Sequence, residues 1–583
     1  MRVAADEMSG LLPLTTSPHS SRRCSDVSSG PRSLLLCSAR VRAGLQIHRR
    51  ARFYRSFTCR VNSSDPLSEG AGGGSQDYGW SCDDGGVVWD ASRLARAVGG
   101  DVVQWGSPGS ICTDSRKINR GQWFLALVGP KFDGHDFLQQ ALDRGCAGVI
   151  GQNVSSDWPR GFIRIECSLD ALHLLATYVR RLYRGPVVGI TGSTGKTTAR
   201  AMTSLALKSL GHVHQTEGNF NNHIGVPLTL LKLPFRNSAC ILEMGMSAAG
   251  EMEVLARIAE PSVRVLLNVG PAHMENFEKL EHVAAAKGEL FSCARPGDVC
   301  ILNADDPLIM GLILPPAVQV IFFGRRAGCH VKLVEAAVTE GGRGVHVILE
   351  QSSYGSITVE NFNSGSQILE NLLTEKPIHT HPQKPFDGAA VGRDYHSRTV
   401  FDISSPGLHL AMNACAAAAV AVALRIPVEK VCKTLSEYSP VGRRSRLEQV
   451  GNVHILDDAY NSNPMSLESS LRSLSYMDSK NRRVAFLGDM LELGRVSEDA
   501  HQTALALCTE LQLDYVGLVG QCFAKAAMSL GMTTNNFNSF EDSEQLAKQV
   551  DFILEPGDTV LVKGSRGMKM EAVVDAIRRM TIT

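Results

Sequence analysis

The residues of this chain best suited to chemistry are Thr191-Gly192-Ser193-Thr194-Gly195-Lys196-Thr197-Thr198. A glycine turn that runs straight into a helix presents backbone N–H groups and the positive end of the helix dipole to an anion. The lysine reaches the terminal phosphates of a nucleotide, and a threonine hydroxyl supplies a hard oxygen for magnesium. The elements needed to hold such a loop stand on either side. Val187 to Ile190 is a short apolar run that reads as a buried strand. Ala199, Met202, Leu205 and Ala206 then return at helical spacing as far as Leu210-Gly211. The expected ligand is ATP or GTP. A strict phosphate-loop pattern places a glycine at position 190, where this chain has Ile190, with Gly189 one residue early.

Three further apolar runs end in polar groups: Ala239 to Leu242 in Glu243-Met244-Gly245, Val263 to Leu267 in Asn268 to His273, and Cys300 to Leu302 in Asn303-Ala304-Asp305-Asp306. In an open parallel sheet, ligands lie beyond the carboxyl ends of the strands, so Glu243, His273 and Asn303 should share one rim with Lys196. Lys287 sits in the helical stretch Leu280 to Phe291, and by itself reads as a solvated helix face.

The rest of the chain bounds these possibilities. At 583 residues, with 44% hydrophobic and 20% charged residues, it has the length of three to four ordinary domains. Formal net charge is zero, so nothing points to nucleic acid or a membrane surface. No run approaches the length of a membrane span. The 15 cysteines never form C-x-x-C, against both a structural zinc site and a disulfide framework. Residues 1–80 are rich in arginine and serine and poor in acids, and end in the Gly70 to Ser75 linker, the composition of an organelle transit peptide. Composition leaves plastid and mitochondrion open, with a natively disordered tail as the alternative.

Residues 85–183 read as a compact α/β domain with two exposed polar clusters, Asp114-Ser115-Arg116 and Asp133 to Asp136, suited to a polar ligand such as a nucleotide sugar or, more simply, to a turn and a helix cap. The central domain, 184–442, is a mononucleotide-binding parallel sheet. Within it, 361–398 is polar and aperiodic and reads as a partly disordered insertion. Pro440 to Arg446 reads as a hinge. Residues 443–583 alternate strands and helices in a Rossmann-like doubly wound unit.

Taken together these motifs resemble the Mur ligases, and within them the MurF type. The resemblance rests on Gly189 to Thr198, Thr216-Glu217-Gly218-Asn219-Phe220-Asn221-Asn222-His223-Ile224-Gly225-Val226-Pro227, Ala286 to Phe291, Asp458-Ala459-Tyr460-Asn461-Ser462-Asn463-Pro464, Gly488-Asp489-Met490-Leu491-Glu492-Leu493-Gly494 and Lys563-Gly564-Ser565-Arg566. It implies an ATP-dependent amide ligase of peptidoglycan precursor synthesis, joining D-alanyl-D-alanine to UDP-N-acetylmuramoyl-tripeptide through an acyl phosphate. Lys196 would screen the phosphates, Thr197 and Glu243 would hold one magnesium, and His273 and a carbamylated Lys287 would hold a second. Asn303 would contact adenine and Asp458 the ribose. Asp114, Ser115 and Arg116 would bind the UDP moiety. Asn219, Asn222, Arg446, Tyr460, Asn461, Asn463, Lys563, Ser565 and Arg566 would handle the muramoyl peptide and dipeptide. The implied enzyme is monomeric and, given the transit peptide, resides in the plastid stroma. Another superfamily amide ligase, such as a folylpolyglutamate synthetase, and a non-catalytic Mur-like scaffold in plastid gene expression or division are the alternatives. Two departures from the family pattern stand out: His409 is followed by Leu410 where the family has asparagine, and the 361–398 insertion is longer than bacterial members need.

Overall fold

The structure, a computed structural model, describes residues 87–352, 357–358, 395–532 and 536–580. The transit-peptide reading of residues 1–80 and the insertion as far as residue 394 lie outside the described residues. The last four insertion residues, 395–398, belong instead to a strand, because Tyr395, Ser397 and Arg398 pair with Ser352, Gln351 and Glu350, with His396 at a bulge between them. The described residues divide into two compact units: 87–182 with Leu230–Pro234, and Tyr183–Thr229 with the described residues from Phe235 onward.

The first unit holds five strands, β1 (Asp101–Gln104), β2 (Ile111–Cys112), β3 (Trp123–Leu125), β4 (Gly148–Gly151) and β5 (Gly161–Arg164). They lie in the order β1-β5-β4-β3-β2, parallel except for β1. β3 is buried throughout, as its run of Trp123, Phe124 and Leu125 requires. The expected helix from Asp133 begins as a 3-10 turn, Gly134–Phe137, before the helix Leu138–Asp143.

The second unit carries two sheets. The central one contains β6 (Val187–Thr191), β7 (Val213–Gln215), β8 (Ala239–Glu243), β9 (Val263–Leu266), β10 (Val299–Asn303), β11 (Gln319–Gly324), β12 (Val331–Val338), β13 (Val345–Ser352), β14 (Ile357–Thr358) and β15 (Tyr395–Ile403). Their order is β15-β13-β12-β11-β10-β9-β6-β8-β7, with β14 beside β11. From β7 to β12 the pairs are parallel and the strands near β6 are fully buried, which is why they read as continuous apolar runs. β6 has β8 on one side and β9 on the other, so the strand order reverses beside the glycine loop and opens a crevice there. The nearly all-buried helix His409–Ala423 packs against the helix Lys196–Ala206, and its run of alanines allows the two backbones a close approach.

The second sheet is β16 (Arg446–Val450), β17 (Val453–Asp458), β18 (Arg483–Gly488), β19 (Tyr515–Val519), β20 (Phe537–Phe540) and β21 (Thr559–Lys563), in the order β16-β17-β21-β18-β19-β20. Only β16 is antiparallel. Arg446 thus opens an edge strand rather than closing a connector, since it pairs with Asp457 of β17. Residues 543–553 form two short helices, Ser543–Ala547 and Val550–Ile553, because the Gln549 N–H bonds Leu546 three residues back and tightens the chain there. Among the described residues no helix is long and apolar enough to cross a membrane.

Candidate active site

Gly195 (φ 80°) caps the helix Lys196–Ala206 in a left-handed conformation that favours glycine. A Cβ there would also lie 2.5 Å from Oδ1 of Asn413. Asn268, at the end of β9, clamps the loop: its carbonyl accepts from Ser193 N (3.0 Å) and its Oδ1 from Thr194 N (2.9 Å). Its amide donates to the Thr194 carbonyl at 3.2 Å. Ser193 Oγ also exchanges hydrogen bonds with Gly270. Lys196 curls over its own turn, Nζ donating to the Gly192 carbonyl at 2.8 Å. Burial pushes its ammonium below the usual lysine range, although Glu243 opposes the shift. Thr191 is buried with its hydroxyl unpartnered, and Thr198 faces the Tyr438 hydroxyl.

Beneath the loop, the Thr197 hydroxyl donates to Glu243 Oε2 at 2.8 Å, and both residues are buried. Asn221 Nδ2 donates to Oε1 at 2.8 Å, and the buried Arg200 Nε lies 3.8 Å from Oε2. Glu243 is thus a buried carboxylate held by two hydrogen bonds and a nearby guanidinium. Lys287 is 2% exposed and makes no hydrogen bond or ion pair with any described residue. Burial, reinforced by the Lys196 charge, holds its amine well below the usual lysine range. His273 is half-exposed in a left-handed conformation (φ 56°), its Nδ1 2.7 Å from Glu492 Oε2.

The remaining expected ligand residues divide into those that face the rim and those consumed by the fold. Asn303 donates to the Leu267 carbonyl at 2.8 Å and accepts from Asp305 N at 3.0 Å, so it shapes the rim. Asp458 and Lys563 pair with one another: Nζ lies 2.5 Å from Oδ2, and both are buried. Ser470 Oγ and Ser445 N complete the Asp458 carboxylate at 2.6 and 3.0 Å. Asn222 Oδ1 accepts from Ile224 N and Gly225 N at 3.1 and 2.9 Å, capping a helix start, while Asn219 stays half-buried in the preceding turn. Asn463 forms a capping box with Ser466. Arg446 pairs with Glu448 at 2.9 Å. Tyr460 is stacked under Arg444, whose guanidinium carbon is 3.8 Å from the ring centroid, with Arg566 at 5.4 Å. Asn461 Oδ1 accepts from Arg566 N, and Ser565 Oγ accepts from Leu491 N at 2.8 Å.

In the first unit, Asp114 caps the turn Ser115–Lys117 and forms a two-point ion pair with Arg116. Burial raises its carboxyl, but the Arg116 hydrogen bonds outweigh this and hold it below the usual range. Ser115 Oγ donates to Gln140 at 2.6 Å. Asp133 is likewise a cap, accepting from His135 N at 2.8 Å.

Comparison with known proteins identifies the lineage of this arrangement. Residues 190–374 match the Mur ligase middle domain, and 442–566 match the Mur ligase, glutamate ligase domain. The UDP-N-acetylmuramoyl-tripeptide--D-alanyl-D-alanine ligase of Bacillus subtilis is 31% identical over 470 residues, covering 80% of this chain and 92% of that protein. The chain belongs to the Mur ligase family. Its counterpart of the same name from Synechocystis is also 31% identical, over 80% of this chain and 91% of its own length. The solved MurF structure of Acinetobacter baumannii superimposes with a TM-score of 0.70 at 26% identity, covering 85% of this chain and all of that one. MurF from Thermotoga maritima in complex with ADP gives 0.65 at 26% identity, covering 81% and 97%.

In this Mur ligase the sequence left three site residues unassigned. Asn221 was visible within its Asn-rich run, but only the turn shows which amide reaches Glu243. Arg200 lies one helical turn beyond Lys196, a spacing that could have placed it on the same face. Asn413 supplies an amide against the loop, one turn after the position where Leu410 lacks one. Leu410 itself is buried in the core, 1% exposed.

Glu289, beside Lys287, accepts from Gly250 N (2.7 Å) and Glu253 N (3.3 Å) at the start of the helix Glu251–Ala259. Burial raises its carboxyl from 4.5 to about 7, despite those hydrogen bonds. The folded state therefore holds this proton more tightly than the unfolded one, and the Glu289 contribution to stability declines as pH rises from 4.5 to about 7. Glu289→Gln should match the parent near pH 4 and exceed it by roughly 3 kcal/mol above pH 7. Urea unfolding across that range measures the difference, and a pH-independent gap would refute it.

Proposed function

We propose that this chain joins D-alanyl-D-alanine to UDP-N-acetylmuramoyl-tripeptide with hydrolysis of ATP to ADP and phosphate, in the plastid stroma, on the path to peptidoglycan. The observation that carries the reading is the phosphate loop with Glu243 fixed to Thr197 and Lys287 buried within electrostatic reach of Lys196, without a hydrogen-bond or ionic partner among the described residues. The names of its relatives supply the substrates. The tripeptide carboxylate attacks the γ-phosphorus and displaces ADP, giving an acyl phosphate. The dipeptide amine then attacks the acyl carbon and gives up a proton, and phosphate leaves from the tetrahedral intermediate to form the amide.

Lys196 swings from the Gly192 carbonyl onto the terminal phosphates and offsets charge as the bond to ADP breaks. Loop N–H groups orient the nucleotide. Half-buried Tyr460 and Arg444 and exposed Arg566 form a cationic face for the anionic precursor. The donor set at Thr197 and Glu243 is hard oxygen, which fits Mg²⁺. Lys287 fits carbamate formation: its neutral amine adds to CO2 and loses a proton, becoming an oxygen donor that, with His273, would hold a second ion. Bound magnesium would neutralise phosphate charge.

Phosphate release measured with ATP, magnesium, UDP-MurNAc-tripeptide and D-Ala-D-Ala, each omitted in turn, tests the reading. Release should require every component; release without the dipeptide, or none from protein that binds ATP, would sink it. A fluorescent fusion of residues 1–80 found outside plastids would overturn the location.

A further inference from the structure

The segment 268–275 runs from the phosphate loop to the last sheet. At its start Asn268 and Gly270 bond Thr194 and Ser193. A Cβ on Gly270 would collide with Met465 Sδ at 1.9 Å, so the segment is already pressed against the helix Pro464–Tyr476. At its far end it meets Glu492 of the Gly488-Asp489-Met490-Leu491-Glu492-Leu493-Gly494 stretch, a motif to which the mechanism above gives no task. Three contacts join them. His273 Nδ1 lies 2.7 Å from Glu492 Oε2, and Glu275 N donates to the Glu492 carbonyl at 3.3 Å. Gly494, at φ 52°, packs tightly against the segment, since a Cβ there would be 3.0 Å from Glu275 Cα.

Both His273 (φ 56°) and Glu492 (φ 64°) are non-glycine residues in the left-handed region, a strain that persists where surrounding contacts over-determine it. A carboxylate only accepts, so Glu492 fixes the proton on Nδ1 and leaves Nε2 as the lone-pair nitrogen. Nε2 makes no hydrogen bond with any described residue. We propose that Glu492 is a positioning residue for His273, setting the imidazole tautomer and direction from the C-terminal domain, so that docking of that domain completes the magnesium position. The inference rests on the assignment of His273 to magnesium made above. Carboxylate partners of metal-binding histidines act in this way, and their loss weakens metal affinity by about 10- to 100-fold.

The test uses the full chain with Glu492→Ala, Glu492→Gln and His273→Ala. Half-saturating magnesium for phosphate release should rise about 10- to 100-fold in Glu492→Ala. It should rise less in Glu492→Gln, whose amide oxygen still accepts. In metal-free and nucleotide-free protein, ¹⁵N spectra of the histidine rings should show His273 locked as the Nδ1–H tautomer, and as a mixture in Glu492→Ala. A fall in turnover with unchanged magnesium dependence and unchanged tautomer would reduce Glu492 to a packing role and overturn the proposal. If His273→Ala shifts the magnesium dependence and Glu492→Ala does not, the inference alone fails. If His273→Ala leaves it unmoved, the magnesium role of His273 itself falls.

Discussion

Lys287→Ala should lower turnover by about 10²- to 10³-fold, the scale on which a single charge-stabilising group contributes in a closed site. The lysine is 2% exposed, lacks any described hydrogen-bond or ionic partner, and is pushed toward neutrality first by burial and then by Lys196. A side chain kept in that state gives the fold little, so its retention points to chemistry. Removing an unpaired buried amine does not orphan a partner, and loss of activity should therefore come without loss of the folded state. The shortened side chain leaves space, within electrostatic reach of Lys196, for a short carboxylic acid. Formate or acetate should restore part of the lost rate, and depletion of CO2 should slow the parent protein. Full activity in the variant, or a defect that no carboxylic acid relieves, would remove the carbamate from the mechanism.

Asp458→Ala should cost about 3–5 kcal/mol of stability, because it leaves the Lys563 ammonium buried without its counter-charge. Lys563 is 2% exposed, and its only other described acceptor is the Asn461 carbonyl at 3.1 Å. The carboxylate also holds Ser445 N and Ser470 Oγ, so its loss loosens the entry to β16 and the helix Pro464–Tyr476 together. Pairing Asp458→Ala with Lys563→Met should recover most of the loss, since an apolar side chain of similar length has no charge to bury. Denaturant unfolding of the single and double variants measures both effects. If Asp458 served only the nucleotide ribose, the single variant would unfold like the parent and show only a raised KM for ATP.

The two cases mark where sequence reading succeeds and fails. The strand, glycine turn and helix around Lys196 were legible because each depends on residues within one turn of its neighbours: an apolar run, two glycines and a helical period. The strand-end polar groups Glu243 and Asn303 were legible by the same logic, since a parallel sheet must bury its strands and release polar residues at their ends. Lys287 was not. A lysine in a helix is solvated unless something covers it, and only the resemblance to the Mur ligases suggested otherwise.

The sequence by itself determined the local elements, the nucleotide loop and the family. Tertiary structure decided which polar residues face the rim and which are spent inside. Asp458 and Lys563 stand 105 residues apart and meet because β17 and β21 are neighbours in the sheet. Asn222 and Asn463 stand in motifs, and the fold shows that their Oδ1 atoms cap helices. Asn413 reaches Gly195 because an alanine-rich helix lets two backbones approach closely, and Glu492 reaches His273 because the sheets of the second unit meet at segment 268–275. Periodicity reports how a residue sits on its own element, whereas burial of a charge or an amide depends on what the neighbouring elements bring to it.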